Sequence, residues 1–564
     1  MNSPRMSRPR MKTLVLAVLC AGSTVATCAL AADAEEFYGT TEPFASESIY
    51  FVLTDRFVNG DPSNDHRDQG GKHRTFDVPT PGAPPGETDN IGYLGGDFKG
   101  IVDNAGYIRD MGFTSVWVTP IVDNPDEAFT GGDAAKWGGM FTDRGKTGFH
   151  GYWGINFYKL DEHLPSEGLD FAGFTKAMKQ QKLDVVLDIV GNHGSPAYSM
   201  PKMQPQYGKV YDRDGKLVAD HQNLAPDKLD RAHKPMHAFY NTSGGLAQLS
   251  DFNQDNPAVL EYLVGAYEQW IDQGAAAFRV DTIAWMPHSF WKKFADRIRA
   301  KRPGFFMFGE AFNYDAATIA GHTLDRNGHY SVLDFPMRGK MAATFEKKGT
   351  DFAELATALY LEDGPYANPY DLVTFYDNHD MARMNASDEG FIDANNWLFT
   401  ARGIPAVYYG SEIGFMRGRA EHMGNRNYYG QERVDAAGKS PIHPALKRIA
   451  NLRRESPALQ RGLQFNLRMK GDEAVFYRVY QHEGMAQTAL VLLNKGDAAS
   501  TLAVSDYLQS GAWRDAFTGK RINIGKQLRL EVPAHGVRVL FFDRPLTRKD
   551  LRARLADSMA HKER

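Results

Sequence analysis

Three features of the sequence predict an α/β protein, a (β/α)8 TIM barrel with an inserted loop domain after strand 3 and a C-terminal antiparallel β-sandwich domain. Between residues 48 and 410, eight short runs rich in β-branched and aromatic residues alternate with helical patterns, the mark of parallel βα units. A Gly-, Pro- and Asp-rich stretch over about 193–256 interrupts that alternation after the third run, and its own aromatic residues mark it as an inserted domain rather than a linker. Beyond residue 456 strand patterns follow one another without intervening helices, as in an antiparallel sheet.

In chain order, the first 31 residues read as an export signal: Arg5, Arg8, Arg10 and Lys12 precede the apolar run "LVLAVLCAGSTVA", and small-residue cleavage sites follow. That run is too short to span a bilayer comfortably, and no later segment is long and apolar enough to do so. Both cysteines, Cys20 and Cys28, fall in or beside the signal, so the mature chain is expected to hold no disulfide and to be exported to a periplasm or secreted. The barrel domain is expected over 35–456, with strands at "SIYFVLT" (48–54), "TSVWVTP" (114–120), "LDVVLDIV" (183–190), "AAAFRVD" (275–281), "GFFMFGE" (304–310), "SVLDF" (331–335), "DLVTFYD" (371–377) and "IPAVYYG" (404–410). The C-terminal domain is expected over 457–543, with strands at "FNLRMK", "AVFYRVY", "TALVLLN", "LRLEVP" and "VRVLFF". The basic segment 544–564 is helix-prone and is expected to be a solvated or frayed end.

With 42% hydrophobic and 24% charged residues the chain is globular by composition, and 564 residues exceed one ordinary core. A formal net charge of −4 without an internal Lys/Arg block argues against nucleic acid as a partner. The 12% aromatic content suits a protein that stacks on flat ligand faces, although filling a core is the commoner use. Oligomeric state is not legible.

The stretch "GAAAFRVDTIAWM" carries Arg279 and Asp281 into an apolar strand, two residues apart and therefore on one face. Buried charges are costly unless paired, so this pair needs a partner or a use. Asp188 with His193 just beyond it, Arg279 with Asp281, Glu310, and "DNHD" (377–380) all fall at the C-terminal ends of expected barrel strands, the rim where barrel active sites lie. Clustered carboxylates with one Arg meet the needs of retaining glycosidic cleavage, in which a carboxylate nucleophile and a carboxylic acid stand about 5 to 5.5 Å apart. Arg279 keeps Asp281 ionised, while neighbouring carboxylates raise the acid's affinity for its proton.

The ordered segments "DVVLDIVGNH", "GAAAFRVD", "FGEAF" and "FYDNHD" resemble the four signature regions of the α-amylase family, glycoside hydrolase family thirteen. The similarity extends through "SIYFVLTDRFVNGDPSND", "GGDFKGIVDNAGYIRDMGFTSVWVTP" and "GFHGYWGINFYKL" to cover nearly all of the mature chain, with bacterial α-amylases and cyclodextrin glucanotransferases as the closest groups in motif. The resemblance implies Asp281 as nucleophile, Glu310 as general acid/base and Asp380 as the carboxylate that grips sugar hydroxyls at the transition state. It implies that Arg279, His193, His379, Asp188, His150 and Tyr152 line the sugar site, Tyr152 as a stacking platform. Asn59, Asp61, Asn64, Asp65 and Asp97, with the Gly95 carbonyl, offer hard oxygen donors that suit Ca²⁺. Asx-rich loops are often only turns; similarity to a calcium loop of the glucanotransferases favours the ion. A second calcium site would use Asn192, Asp251 and the Trp285 carbonyl.

Two departures from the pattern bear on substrate. Where starch-acting relatives often carry Lys-His shortly after the nucleophile, this chain has Ala284-Trp285, and Trp285 either stacks on a sugar or fills the loop core. Before "DFN" (251–253), where glucanotransferases place a large aromatic, stands Ala247. The sequence also ends after one β domain, without the further C-terminal domains of those transferases. These points favour hydrolysis of an α-1,4-glucan, a starch, maltooligosaccharide or cyclodextrin, over cyclisation. A transglycosylase and a non-catalytic sugar-binding protein are the alternatives.

Overall fold

The computed structural model describes residues 35–562, so the expected signal segment and both cysteines lie outside the described residues. From Phe37 onward the chain forms one unit. Its centre is a sheet of eight parallel strands: β1 (Ile49–Val52), β2 (Ser115–Val118), β3 (Asp184–Val190), β4 (Ala277–Asp281), β5 (Phe306–Gly309), β6 (Ser331–Val332), β7 (Val373–Thr374) and β8 (Ile404–Tyr408). Neighbours in sequence are neighbours in space, and β1 pairs with β8. The ring closes where Leu333 bridges Val373 and the Asp334 N–H donates to the Val373 carbonyl at 2.9 Å. All eight expected strands are present, and the barrel is closed.

Near-continuous apolar runs such as β3 are what a parallel strand needs when helices cover one face and a packed interior the other. Inside, Phe51 stacks on Trp117 with centroids 3.8 Å apart, and Trp117 meets Phe308 edge-on at 5.5 Å. The crossover helices start where the chemistry of their caps dictates. Asp170 accepts from the Gly173 N–H ahead of Phe171–Gln180, Asn256 with Pro257 opens Pro257–Asp272, and Ser387 opens Asp388–Leu398.

The insertion after β3 is held by two small antiparallel pairs, His193–Pro196 with Leu249–Asp251 and Lys209–Tyr211 with Leu217–Asp220. It packs against the long loop after β2 through a separate cluster of Phe129, Trp153, Met200 and Tyr207.

The C-terminal part is richer in strands than the sequence pattern suggests: β9 (Leu463–Lys470), β10 (Glu473–His482), β11 (Met485–Asn494), β12 (Ser500–Val504), β13 (Gly511–Asp515), β14 (Arg521–Ile524), β15 (Leu528–Val532) and β16 (Gly536–Phe542). Six form one sheet in the order β9-β10-β11-β16-β13-β14, and β12 pairs with β15 in a second. Leu490, Leu492 and Tyr477 of the first sheet share a core with Leu502 and Val532 of the second. Strands β12, β13 and β14 escape a pattern-based reading because they are short and mix charged, polar and small residues.

The end of the chain differs from the frayed tail its charge suggests. Lys549–Lys562 is a helix whose Leu551 and Leu555 are fully buried in the same core, and the Ser558 hydroxyl donates to Glu362 at 2.6 Å. Apolar residues four apart turned one stripe of an otherwise charged helix inward. No helix among the described residues is long and apolar enough to cross a membrane.

Candidate active site

Strand register builds the centre. In the parallel ladder Arg279 of β4 lies directly beside Asp188 of β3 and Phe308 of β5, so three strands present their rim residues side by side. Arg279 is fully buried and meets three carboxylates: Nη1 lies 2.8 Å from Asp188 and 2.9 Å from Asp281, and Nη2 lies 2.9 Å from Glu310. This is the partner that the sequence pair required. The Trp117 indole N–H (3.0 Å) and the Tyr152 hydroxyl (2.8 Å) also donate to Asp188.

Thr282 follows Asp281 in the left-handed region, at φ 47° and ψ 38°, which for a β-branched residue stores about 1 to 3 kcal/mol of strain. In that conformation its hydroxyl donates to Asp281 at 3.0 Å and its N–H to Glu310 at 3.3 Å, so one residue touches both carboxylates.

Asp380 enters from the loop after β7. Its Oδ2 is 3.2 Å from His379 Nε2, and its Oδ1 accepts from Arg426 Nη2 at 2.8 Å. Tyr152 stacks on His379, centroids 5.3 Å apart and planes 10° apart, while His150 Nδ1 accepts the Tyr152 N–H at 3.1 Å. His193 Nε2 lies 4.0 Å from Asp281. The structure thus gathers Asp188, Arg279, Asp281, Glu310, His379, Asp380, His150, Tyr152 and His193 on one rim.

Burial dominates the electrostatics. Desolvation holds the Glu310 carboxyl well above the usual range; Asp380, Asp281 and Asp188 add to this, and Arg279 opposes it only in part. Burial also raises Asp188, to about 7, against the pull of Arg279. In Asp380 burial acts upward too, but His379, Arg426 and Arg279 together outweigh it and the carboxyl is held low. Desolvation lowers His379 to about 3 and places His150 and His193 below the ordinary imidazole value, so these rings are neutral near pH 7. One acid that keeps its proton and one that does not, on a shared rim, is the pattern acid–base chemistry uses.

Trp285 sits at the end of the short turn Ile283–Trp285 after β4 and is 55% exposed, which rules out the loop-filling alternative. Phe312, two residues past Glu310, is also exposed. Sequence reasoning missed Trp117, which reads as core, and Arg426, Glu421 and Lys146, which lie in loops without periodicity. An Arg between two asparagines in "GNRN", beyond the last barrel strand, is the only signal that "NRN" offers.

The Asx-rich loop is a built oxygen cluster. Asn59 Oδ1 and Asn64 Oδ1 are buried without a hydrogen-bond partner. An ideal Cβ on Gly95, whose φ is 84°, would lie 2.4 Å from Asp65 Oδ1 and 2.3 Å from Asn59 Nδ2, so only glycine brings its backbone against them. Asp97 accepts N–H groups of Gly60, Asp61 and Gly100 at 3.1, 2.7 and 2.6 Å, whereas the partly exposed Asp61 caps Ser63. Orphaned amide oxygens beside carboxylates fit a hard cation. Among the described residues no three His, Cys, Asp or Glu side chains form a group that could hold a metal ion, so a cation here would rest on the amide and carbonyl oxygens as well as the carboxylates. Asn192 and Asp251 are brought to one ladder, where His193 pairs with Asp251 and the Phe252 N–H donates to the Asn192 carbonyl at 2.8 Å.

Residues 51–447 match the family described as the alpha-amylase catalytic domain. A cyclomaltodextrin glucanotransferase of Klebsiella oxytoca is 30% identical over 515 residues, covering 83% of this chain and 73% of that one. Another, from Thermoanaerobacterium thermosulfurigenes, is 28% identical, and the chain spans 64% of its length. Among solved structures, the Geobacillus thermoleovorans alpha-amylase complexed with acarbose superposes with a TM-score of 0.67 at 26% identity, over 88% of this chain and 98% of that one. CldA, described as a cyclomaltodextrin glucanotransferase with a three-domain ABC distribution, superposes with a TM-score of 0.70 at 29% identity, over 88% and 99%. A glucanotransferase of three domains removes the argument that domain count alone disfavours transfer.

Proposed function

Because the chain belongs to the α-amylase family of glycoside hydrolases and transferases, we propose that it is an exported, retaining α-1,4-glucan hydrolase acting on starch or maltooligosaccharides. The observation that carries this reading is the single buried guanidinium of Arg279 shared by Asp188, Asp281 and Glu310. Asp281 attacks the anomeric carbon, and Glu310, which burial keeps protonated, gives its proton to the leaving oxygen. Glu310 then takes a proton from the water that releases the covalent glycosyl intermediate. Thr282 touching both carboxylates supports the short separation that retention needs. Asp380, held ionised by His379 and Arg426, grips sugar hydroxyls, and Tyr152 offers the stacking face. Ca²⁺ held by Asn59, Asn64, Asp65, Asp97 and the Gly95 carbonyl would cross-link the loops around the first βα unit; the Asn192 and Asp251 site is a second candidate.

The test is the product time course from soluble starch, with Asp281→Asn and Glu310→Gln beside the wild type. Short oligosaccharides released first as α-anomers, and lost by orders of magnitude in both variants, are expected. First-formed β-anomers would overturn retention, and near-normal turnover in either variant would overturn its assigned role.

A second reading, transglycosylation, is favoured by Trp285 and Phe312, exposed on the turns that follow Asp281 and Glu310. Aromatic faces beside the cleaved bond can hold an acceptor sugar in place of water. Products longer than a maltotetraose substrate, or cyclic ones, would establish it.

A further inference from the structure

Arg426 has every guanidinium nitrogen engaged: Nη2 donates to Asp380 at 2.8 Å, Nε to the His379 carbonyl at 3.0 Å, and Nη1 lies 3.1 Å from Glu421 Oε1. Glu421 is buried and ties down two segments. The same Oε1 accepts from Lys146 Nζ at 2.9 Å, and Oε2 accepts the Phe141 N–H at 3.0 Å from the loop after β2. Lys146 is buried as well and has a second carboxylate, Asp143, at 3.0 Å. Phe141 holds a left-handed φ of 55° at the exposed tip of that loop, a conformation its bond to Glu421 helps to secure. A chain of alternating charges, Lys146, Glu421, Arg426 and Asp380, thus runs from the loop after β2 to the sugar site through atoms 2.8 to 3.1 Å apart.

We propose that Glu421 and Lys146 are positioning residues for the reaction: they aim the Arg426 guanidinium, and through it fix the orientation of Asp380 and the field at Glu310. Without Glu421, Nη1 loses its anchor and the guanidinium is free to turn toward Asp380 with both terminal nitrogens, a bidentate grip that withdraws the carboxylate from sugar hydroxyls. The anion also balances two buried cations. Burial acts to raise the Glu421 carboxyl, but Arg426, Lys146 and His422 hold it far below the usual range. The groups facing it are therefore Arg426, Lys146 and His422, the last 3.8 Å away and itself 3.9 Å from Asp89. Those facing Glu310 are Arg279, Asp380, Asp281 and Asp188.

This inference rests on Glu310 being the general acid, and the experiment separates the two. The alkaline limb of kcat/KM is measured with a maltooligosaccharide for the wild type, Glu421→Gln, Glu421→Asp, Lys146→Met and Glu310→Gln, each with its Tm. Removing the Glu421 charge leaves the Arg426 cation unbalanced against Asp380, whose negative charge then supports the Glu310 proton less, so Glu310 releases it more readily. The limb moves down by about half to one pH unit, and kcat falls about 10- to 100-fold. Removing the Lys146 charge acts in the opposite sense and moves the limb up. Glu421→Asp keeps the charge but shortens the reach, so kcat falls while the limb stays. Limbs that do not move in either neutral variant, or move the same way in both, overturn the proposal, whatever happens to Tm. Should Glu421→Gln fail to fold, Lys146→Met and Glu421→Asp decide the matter. Turnover by Glu310→Gln would instead overturn the acid assignment.

Discussion

Replacing Arg279 by Met keeps the length of the side chain and removes the charge on which the centre is built. Three carboxylates would lose a common counter-ion that now lies 2.8 to 2.9 Å from each. Breaking a buried ion pair from one side costs about 3 to 5 kcal/mol, because the remaining charge is left uncompensated. The carboxylates limit that cost by taking up protons, so it must depend on pH. In the wild type Asp188 is already raised from 3.8 to about 7 by burial, partly offset by Arg279. A folded-state value above the unfolded one means that the folded protein holds the extra proton, and stability falls as pH rises through that interval. For Asp188 the interval runs from 3.8 to about 7 in the wild type, and without Arg279 it extends further upward. The expected result is a Tm loss that is small near pH 5 and grows by pH 8 to about 3 to 10 °C, at about 1 to 2 °C per kcal/mol for a unit this large. Activity toward maltooligosaccharides should fall at least about 10³-fold, since the same guanidinium orders both reacting carboxylates. Scanning calorimetry at fixed heating rate from pH 5 to 8, with initial rates beside it, measures both. A Tm difference that is constant or shrinks with rising pH would refute the electrostatic reasoning, as would activity within tenfold of the wild type.

Trp285→Ala removes an exposed aromatic face on the turn after Asp281; KM for maltooligosaccharides should rise about 5- to 150-fold, the worth of one stacking contact of about 1 to 3 kcal/mol, with Tm unchanged, and an unaltered KM would remove Trp285 from the sugar site. Leu555→Ala opens a cavity under the C-terminal helix and should cost about 2 to 5 kcal/mol, seen as a lowered Tm in calorimetry, whereas a frayed tail would show no change. Exhaustive chelation should lower Tm by several degrees, with recovery on adding Ca²⁺ but not Zn²⁺, and Asn59→Leu should abolish the chelator's effect; a Tm indifferent to chelation would exclude the ion.

Much of the centre was legible because parallel strands and their rim residues follow local rules. A strand ends where its β-branched run ends, so Asp188, Asp281 and Glu310 could be placed on one rim from pattern alone. Trp117 reads as core in any periodicity, and its indole N–H found Asp188 only because β2 and β3 pair in one register. Ser500–Val504 and the helix Lys549–Lys562 show the converse failure: the first is too short to show a period, and in the second two leucines four apart stand in a segment otherwise rich in charge.

The sequence alone determined the barrel, its insertion, the β-rich C-terminal part and the identities of the charged rim residues, because hydrophobic period and strand-end chemistry are properties of neighbouring residues. Tertiary structure decided which of those charges share a partner. Arg279 joins carboxylates from three strands, and Arg426 reaches Asp380 from a loop 46 positions along the chain. Packing also turned Trp285 outward and drew Lys146 to Glu421 across 275 positions. Charge pairing acts through space and is settled by burial and loop closure, neither of which leaves a periodic trace along the chain.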